Sequence, residues 1–200
     1  MFESKDHALS ILKEDHQKVK DLFDDFEDAN SLREKKKIAA TIIQELKVHA
    51  TIEEEIFYPT VRKEAEEDIM NEADEEHHVA KLLIAELENM NGNEEHYEAK
   101  VRVLAESIRH HIREEENKMF PDIKNMDIDF EALGQELLDR KEELMENNIP
   151  VSWEEKMITS FWNKKEASST KTKAKKIMPS LQKNGKKSSS KRNGSLRSAH

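Results

Sequence analysis

Apolar residues recur at helical spacing in four long stretches of the chain. Residues 6–29 place Ala8, Ile11, Leu12, Val19, Leu22, Phe23 and Phe26 on one side of a helix. Asn30 and Ser31 end that run, and Ser31 with Glu34 makes a capping-box pattern that opens a second helix. The second stripe carries Ile38, Ile42, Ile43, Leu46, Ala50 and Ile56, and is expected to end or kink at Pro59. A third runs through Ala73, Ala80, Leu83, Ile84 and Leu87 and closes at Asn91, Gly92 and Asn93. The fourth starts near Glu94, carries Val101, Leu104, Ile108 and Ile112, and is expected to stop before Pro121. Asp129 is placed to cap a further helix through Leu138 and Leu144. Ser152 with Glu155 suggests a short one bearing Trp153, Met157 and Phe161.

The expected fold is all-α. Four helices with short connections favour an antiparallel up-down four-helix bundle, followed by one or two additional C-terminal helices and a disordered basic tail. A long coiled coil fits less well, because the breaks recur too often for sustained heptads. The domain reading is a bundle with a following helix over residues 1–145, a short capping helix over 146–163, and the tail over 164–200.

Composition narrows the chemistry. Hydrophobic residues at 36%, charged residues at 38%, four glycines and four prolines suit a helical protein better than a β-rich one. The chain has no cysteine, which excludes disulfides, thiolate ligands and cysteine nucleophiles. No apolar run approaches membrane-spanning length and the first residues lack signal-peptide features, so no membrane span and a cytoplasmic location are expected. Charge is divided unevenly. Residues 164–200 hold twelve Lys or Arg and one acid, a net of +11, so residues 1–163 carry −21 of the chain's overall −10. An acidic body argues against nucleic-acid binding by the helices themselves. The Lys- and Ser-rich tail reads as a solubilising extension or as an anchor for nucleic acid or another anionic surface.

The candidate chemistry lies in a repeat. HATIEEEIFYP, from His49 to Pro59, returns as HIREEENKMFP, from His111 to Pro121, at an offset of 62. Residues four apart on a helix share a face, so His49 lies with Glu53 and His111 with Glu115, each on the apolar side. The first and third stripes carry single histidines, His16 and His77, with apolar residues three, six, seven and ten positions on. His78 lacks that match at Lys81, so His77 is preferred to His78. Counted from the turns at 1.5 Å per residue, the depths of His16 and His49 agree within roughly 8 Å, and His77 and His111 repeat those distances. All six groups can therefore meet at one level. A lone histidine on an apolar stripe is usually a hydrogen-bonded core residue, and a lone His–Glu pair on a Glu-rich helix is usually solvated. Two buried carboxylates, however, need compensating cations or protons. Four imidazoles and two carboxylates suit two metal ions with Glu53 and Glu115 between them. Iron is favoured, with manganese or zinc as the other candidates.

On these residues the chain resembles the hemerythrin-like family of HHE cation-binding domains over about residues 6–145. The resemblance implies a four-helix bundle holding a non-haem diiron centre, oxo- or hydroxo-bridged, with His16, His49, Glu53, His77, His111 and Glu115 as ligands. It implies binding, sensing or reduction of dioxygen, peroxide or nitric oxide, and leaves peroxide- or oxygen-reducing turnover open. One departure concerns the fifth histidine of the oxygen carriers, whose place is taken by Ala73, or by Asp74 if His78 is the ligand. That puts reversible oxygen carriage in doubt. The chain also lacks the N-terminal cysteine motif of the iron–sulfur repair members. Other readings are an iron- or oxygen-responsive sensor or adaptor whose protein partner reads the surface or the Trp153–Trp162 segment, and a stress protein tethered to nucleic acid by its tail.

Overall fold

Polar caps and turns set the helix boundaries in the computed structural model, which describes residues 7–63 and 65–164. Helix α1 spans Ala8–Asp28. Ser31 then accepts a hydrogen bond from the Glu34 N–H at 3.2 Å and opens α2, Leu32–Ile52. Helix α4 spans Glu67–Glu88 and α5 spans Tyr97–Glu114. Between them Gly92 takes a φ of 75°, and a Cβ there would meet the Lys36 Cε at 2.6 Å. Asp129 caps α7, Phe130–Glu146, by accepting from the Ala132 N–H at 3.0 Å. Residues 153–159 are helical again. Their cap is reciprocal, with the Glu155 N–H donating to Ser152 Oγ and the Ser152 N–H to Glu155 Oε2. The described residues are all-helical and contain no strand, and no helix among them is long and apolar enough to cross a membrane.

The two prolines behave differently from expectation. The chain does not stop at Pro59 or Pro121 but stays helical to Val61 and Ile123, in short segments α3, Tyr58–Val61, and α6, Phe120–Ile123. Each is joined to the preceding helix by one π turn, Glu53–Phe57 and Glu115–Met119. There the Tyr58 N–H donates to Glu53 O and the Phe120 N–H to Glu115 O, five residues back. The hydrogen-bond register thus changes just ahead of each proline. Pro59 and Pro121 then fall in the first turn of the new segment, where a missing N–H is tolerated. Single π turns inside α-helices frequently mark functional positions, and both of these begin on the glutamate of the repeat.

The core forms two apolar blocks. One gathers Leu9 and Leu12 of α1, Val48 and Ile52 of α2, Met70 and Ala73 of α4, the aromatic residues around the π turns, and Leu133, Leu137 and Leu144 of α7. The other gathers Val19, Phe23, Phe26, Ile42, Leu46, Ala80, Ile84, Leu104 and Ile108. Helix α1 runs from the first block to the second, α2 runs back, α4 runs out again and α5 returns. His16 and His77 lie between residues of the two blocks, while His49 follows Val48 of the first block and His111 precedes Ile112 of the second, each close to the boundary. Burying an apolar side chain contributes roughly 1.5–3 kcal/mol, so the apolar residues on either side fix the level at which these polar groups meet.

The chain divides into two compact units, Met1–Thr159 and Ser160–His200. In the second unit residues 160–164 are helical, and apart from Lys164 the basic tail lies outside the described residues.

Candidate metal centre

Six buried side chains from four helical elements converge between the blocks. His16, His49, Glu53, His77, His111 and Glu115 are each at most 6% exposed, and Glu53 is at 0%. His16 Nε2 faces His49 Nε2 at 3.2 Å, and His77 Nε2 faces His111 Nε2 at 3.2 Å. Glu53 lies between these pairs, with Oε1 3.2 Å from His49 Nε2 and Oε2 3.3 Å from His77 Nε2. Glu115 is its counterpart, with Oε2 3.1 Å from His16 Nε2 and 3.6 Å from His111 Nε2. Among the described residues two groups have donor atoms close enough to hold an ion: His16, His49, Glu53 and Glu115, and Glu53, His77 and His111.

A second ring of carboxylates orients the imidazoles. His16 Nδ1–H donates to Glu116 Oε1, His77 Nδ1–H to Glu54 Oε1, and His111 Nδ1–H to Glu76 Oε2, each at 2.9 Å. His49 Nδ1 lies 3.6 Å from Asp15 Oδ2, an ion-pair distance rather than a hydrogen bond. Carboxylates on Nδ1–H fix the tautomer and turn each Nε2 towards the centre. Lysines back three of these acids, Lys81 on Glu54, Lys141 of α7 on Asp15 and, at 3.8 Å, Lys20 on Glu116. The arrangement repeats with the sequence. The acid before each lone histidine (Asp15, Glu76) serves the histidine of the His–Glu pair, and the acid after each shared glutamate (Glu54, Glu116) serves the lone histidine.

The halves differ at one position. Tyr58 Oη donates to Glu115 Oε1 at 2.8 Å and lies 3.2 Å from His77 Nε2. Its repeat counterpart, Phe120, offers no hydroxyl and stacks on His16 with ring centroids 6.0 Å apart. Burial and the carboxylate of Glu115 hold the Tyr58 phenol well above its usual pKa, so it remains a donor.

Charge within the cluster is mutually dependent. Burial alone would lower the His49 pKa, but Glu53 and Asp15 prevail and raise it to about 10. His77, likewise opposed by burial, is raised to about 9 by Glu53 and Glu54. For Glu53 burial favours the neutral acid, yet His49 and His77 hold it well below the usual carboxylate range. Even so, both Glu53 oxygens and Glu115 Oε2 are buried without a hydrogen-bond partner. Leaving ionised oxygens in that state costs several kcal/mol. Nitrogen and oxygen donors with no thiolate, around orphaned carboxylate oxygens, fit a metal cation.

The six donors named from the sequence are thus brought together, and His77 rather than His78 faces the cluster. His78 Nδ1 instead pairs with Glu154 Oε1 at 2.7 Å, and its ring stacks on Trp153. The sequence pattern did not single out Asp15 or Glu76, although each directly precedes a lone histidine. Tyr58 also has a polar role, which the Tyr/Phe mismatch in the repeat could have signalled.

A family model described as the hemerythrin HHE cation binding domain matches residues 7–123. Over 115 residues the chain is 30% identical to a protein of Nostoc sp. named as a DNA nickase, a match covering 58% of this chain and 33% of that protein. The chain therefore spans about a third of that relative's length. The crystal structure of a hemerythrin HHE cation-binding domain-containing protein from Mycobacterium kansasii is similar with a TM-score of 0.59. It shares 27% identity, and the match covers 68% of this chain and 86% of that one.

Proposed function

The chain belongs to the hemerythrin HHE cation-binding domain family, and from that premise we propose that it is a diiron protein which binds, senses or reduces a small oxidant. In this reading α1, α2, α4 and α5 form an antiparallel up-down bundle within residues 1–145, and the short helix that begins at Trp153 is a capping helix. His16 and His49 would hold one iron and His77 and His111 the other, with Glu53 and Glu115 as the carboxylates available to both. The observation that carries the reading is Glu53. Its two oxygens reach histidines of opposite pairs at 3.2 and 3.3 Å, fully buried and without hydrogen bonds.

Bound iron would supply the capacity to take up a small oxidant and exchange electrons with it. The protein's own residues do the rest. Glu116, Glu54 and Glu76 fix the ring orientations, Tyr58 holds Glu115 Oε1 in place, and the apolar blocks keep bulk water from the donors. DNA nicking is not carried over from the Nostoc relative, because the match covers a third of that protein and residues 1–163 here are strongly acidic.

Elemental analysis of protein from iron-replete cells tests the assignment. About two irons per chain are expected, with an absorbance change when the reduced protein meets dioxygen, peroxide or nitric oxide. A folded chain purified without metal overturns it, and manganese or zinc at full occupancy overturns the choice of iron. The outer carboxylates give a graded prediction. Asp15→Asn removes the anion facing His49 and should weaken metal affinity about 10–100-fold without unfolding the chain, as measured by chelator competition.

A further inference from the structure

A cavity of ≈ 50 Å³ lies directly against the four imidazoles, walled by apolar residues that include Val19, Leu46, Ile84 and Ile108. Most of its wall belongs to long helices whose backbone hydrogen bonds are internal. One side does not. It is made by Ile149, Pro150, Ser152 and Glu155, from the connection that follows α7. Residues 147–152 are outside any helix, so side chains hold this stretch in place. Lys47 of α2 pairs with Glu155 and, at 3.0 Å, with Glu88 of α4. Next to it Glu154 pairs with His78, and Thr159 accepts from Asn89 at 3.3 Å. Glu154 and Glu155 are each only 8% exposed, so these ion pairs sit against the protein surface rather than projecting into solvent.

We propose that residues 149–155 form a gate over this cavity, latched by Lys47 and Glu155, which swings open to admit small uncharged molecules to the four imidazoles. A connection held by side chains (Ile149 against the core, Glu154 on His78, Glu155 on Lys47) without an internal backbone ladder opens at lower free energy than packed helices, so it yields while the cavity's other walls stay in place. A cavity of ≈ 50 Å³ accepts a molecule of about two or three heavy atoms. Most of its exposed surface is apolar and favours small uncharged molecules, while Asp15, Lys47, Lys81 and Glu155 supply charged groups at other points of the lining. This rests on the diiron reading only for what an admitted molecule meets; the gate itself operates without metal.

The absence of cysteine makes a direct test available. Ala80 lines the cavity and is 6% exposed, so Ala80→Cys puts a single thiol behind the gate. In full-length, metal-free protein, labelling by methyl methanethiosulfonate is followed by mass spectrometry. Adding Glu155→Gln, or separately Lys47→Met, should accelerate labelling at position 80 about tenfold or more. A control thiol from Ala105→Cys, 4% exposed in an apolar block and outside the cavity lining, should change by less than about twofold. Unchanged labelling at position 80 in both latch variants overturns the gate. So does equal acceleration at both thiols, which indicates general loosening. Metal content of the parent chain is measured in parallel. A chain that gates position 80 but takes up no metal overturns the diiron reading and leaves the gate standing; one that binds metal but labels equally fast with or without the latch does the reverse.

Discussion

Glu53→Gln should reduce bound metal from about two ions per chain to nearly none while the helical content remains native. Glu53 is the one residue common to both potential ion-holding groups. Its carboxylate oxygens point to His49 and His77, on different helices, at nearly equal distances. An amide of the same size keeps the packing but removes the charge and one of the two anionic donors. Both ions lose a ligand together, so the effect exceeds that of any outer carboxylate. Glu54→Gln is the matched comparison, since Glu54 only orients His77 and its loss should weaken binding without abolishing it. Elemental analysis and circular dichroism on the purified variants decide the matter. Full occupancy in Glu53→Gln would refute a shared carboxylate.

The metal-free protein should become markedly less stable between pH 6.5 and 9.5, while the loaded protein should not. In the absence of metal, His49 and His77 balance the buried carboxylates as imidazolium ions, with pKa values raised from 6.5 to about 10 and about 9. A raised pKa means that the folded state holds the proton more tightly than the unfolded state. Its contribution is complete below pH 6.5 and is lost as pH climbs through the folded values. For His49 the span from 6.5 to about 10 corresponds to about 5 kcal/mol. His77 shares the same Glu53 charge, so the two contributions are not independent. Glu53 acts in the opposite direction, because its lowered pKa gives stability above the usual carboxylate range that is lost on acidification. Thermal unfolding in chelator should therefore show a midpoint about 10 °C lower at pH 9.5 than at pH 6.5. Bound cations would replace the imidazolium charges and flatten the profile. Metal uptake near pH 7.5 should also release about two protons per chain, measurable by calorimetry in buffers of differing ionisation enthalpy. A metal-free midpoint that holds steady or rises across this range would contradict the assigned charge balance.

Much of the helical pattern was legible locally. Ser31, Asp129 and Ser152 were readable as caps because capping joins residues only three apart, and each makes that bond in the structure. Pro121 was misread as a stop, and Pro59 was read as an end or a kink without the π turn that precedes it. The rule behind that expectation assumes an unbroken α ladder, whereas a π turn changes the register ahead of each proline. The carboxylates at Asp15 and Glu76 were less legible. A surface-like acid beside a histidine looks the same in sequence whether it meets water or, as here, an imidazole on another helix.

The chain by itself determined four apolar stripes, their breaks, and the placing of four imidazoles and two carboxylates at matched depths. These follow from a 3.6-residue period and from capping within a few residues, both local to one helix. Only tertiary structure decided that Glu53 lies between His49 and His77, that Tyr58 rather than Phe120 reaches a carboxylate, and that the chain beyond α7 lines one side of a cavity. Each of these joins groups on different elements. A rotation of one helix by a fraction of a turn would separate them without altering a single local preference.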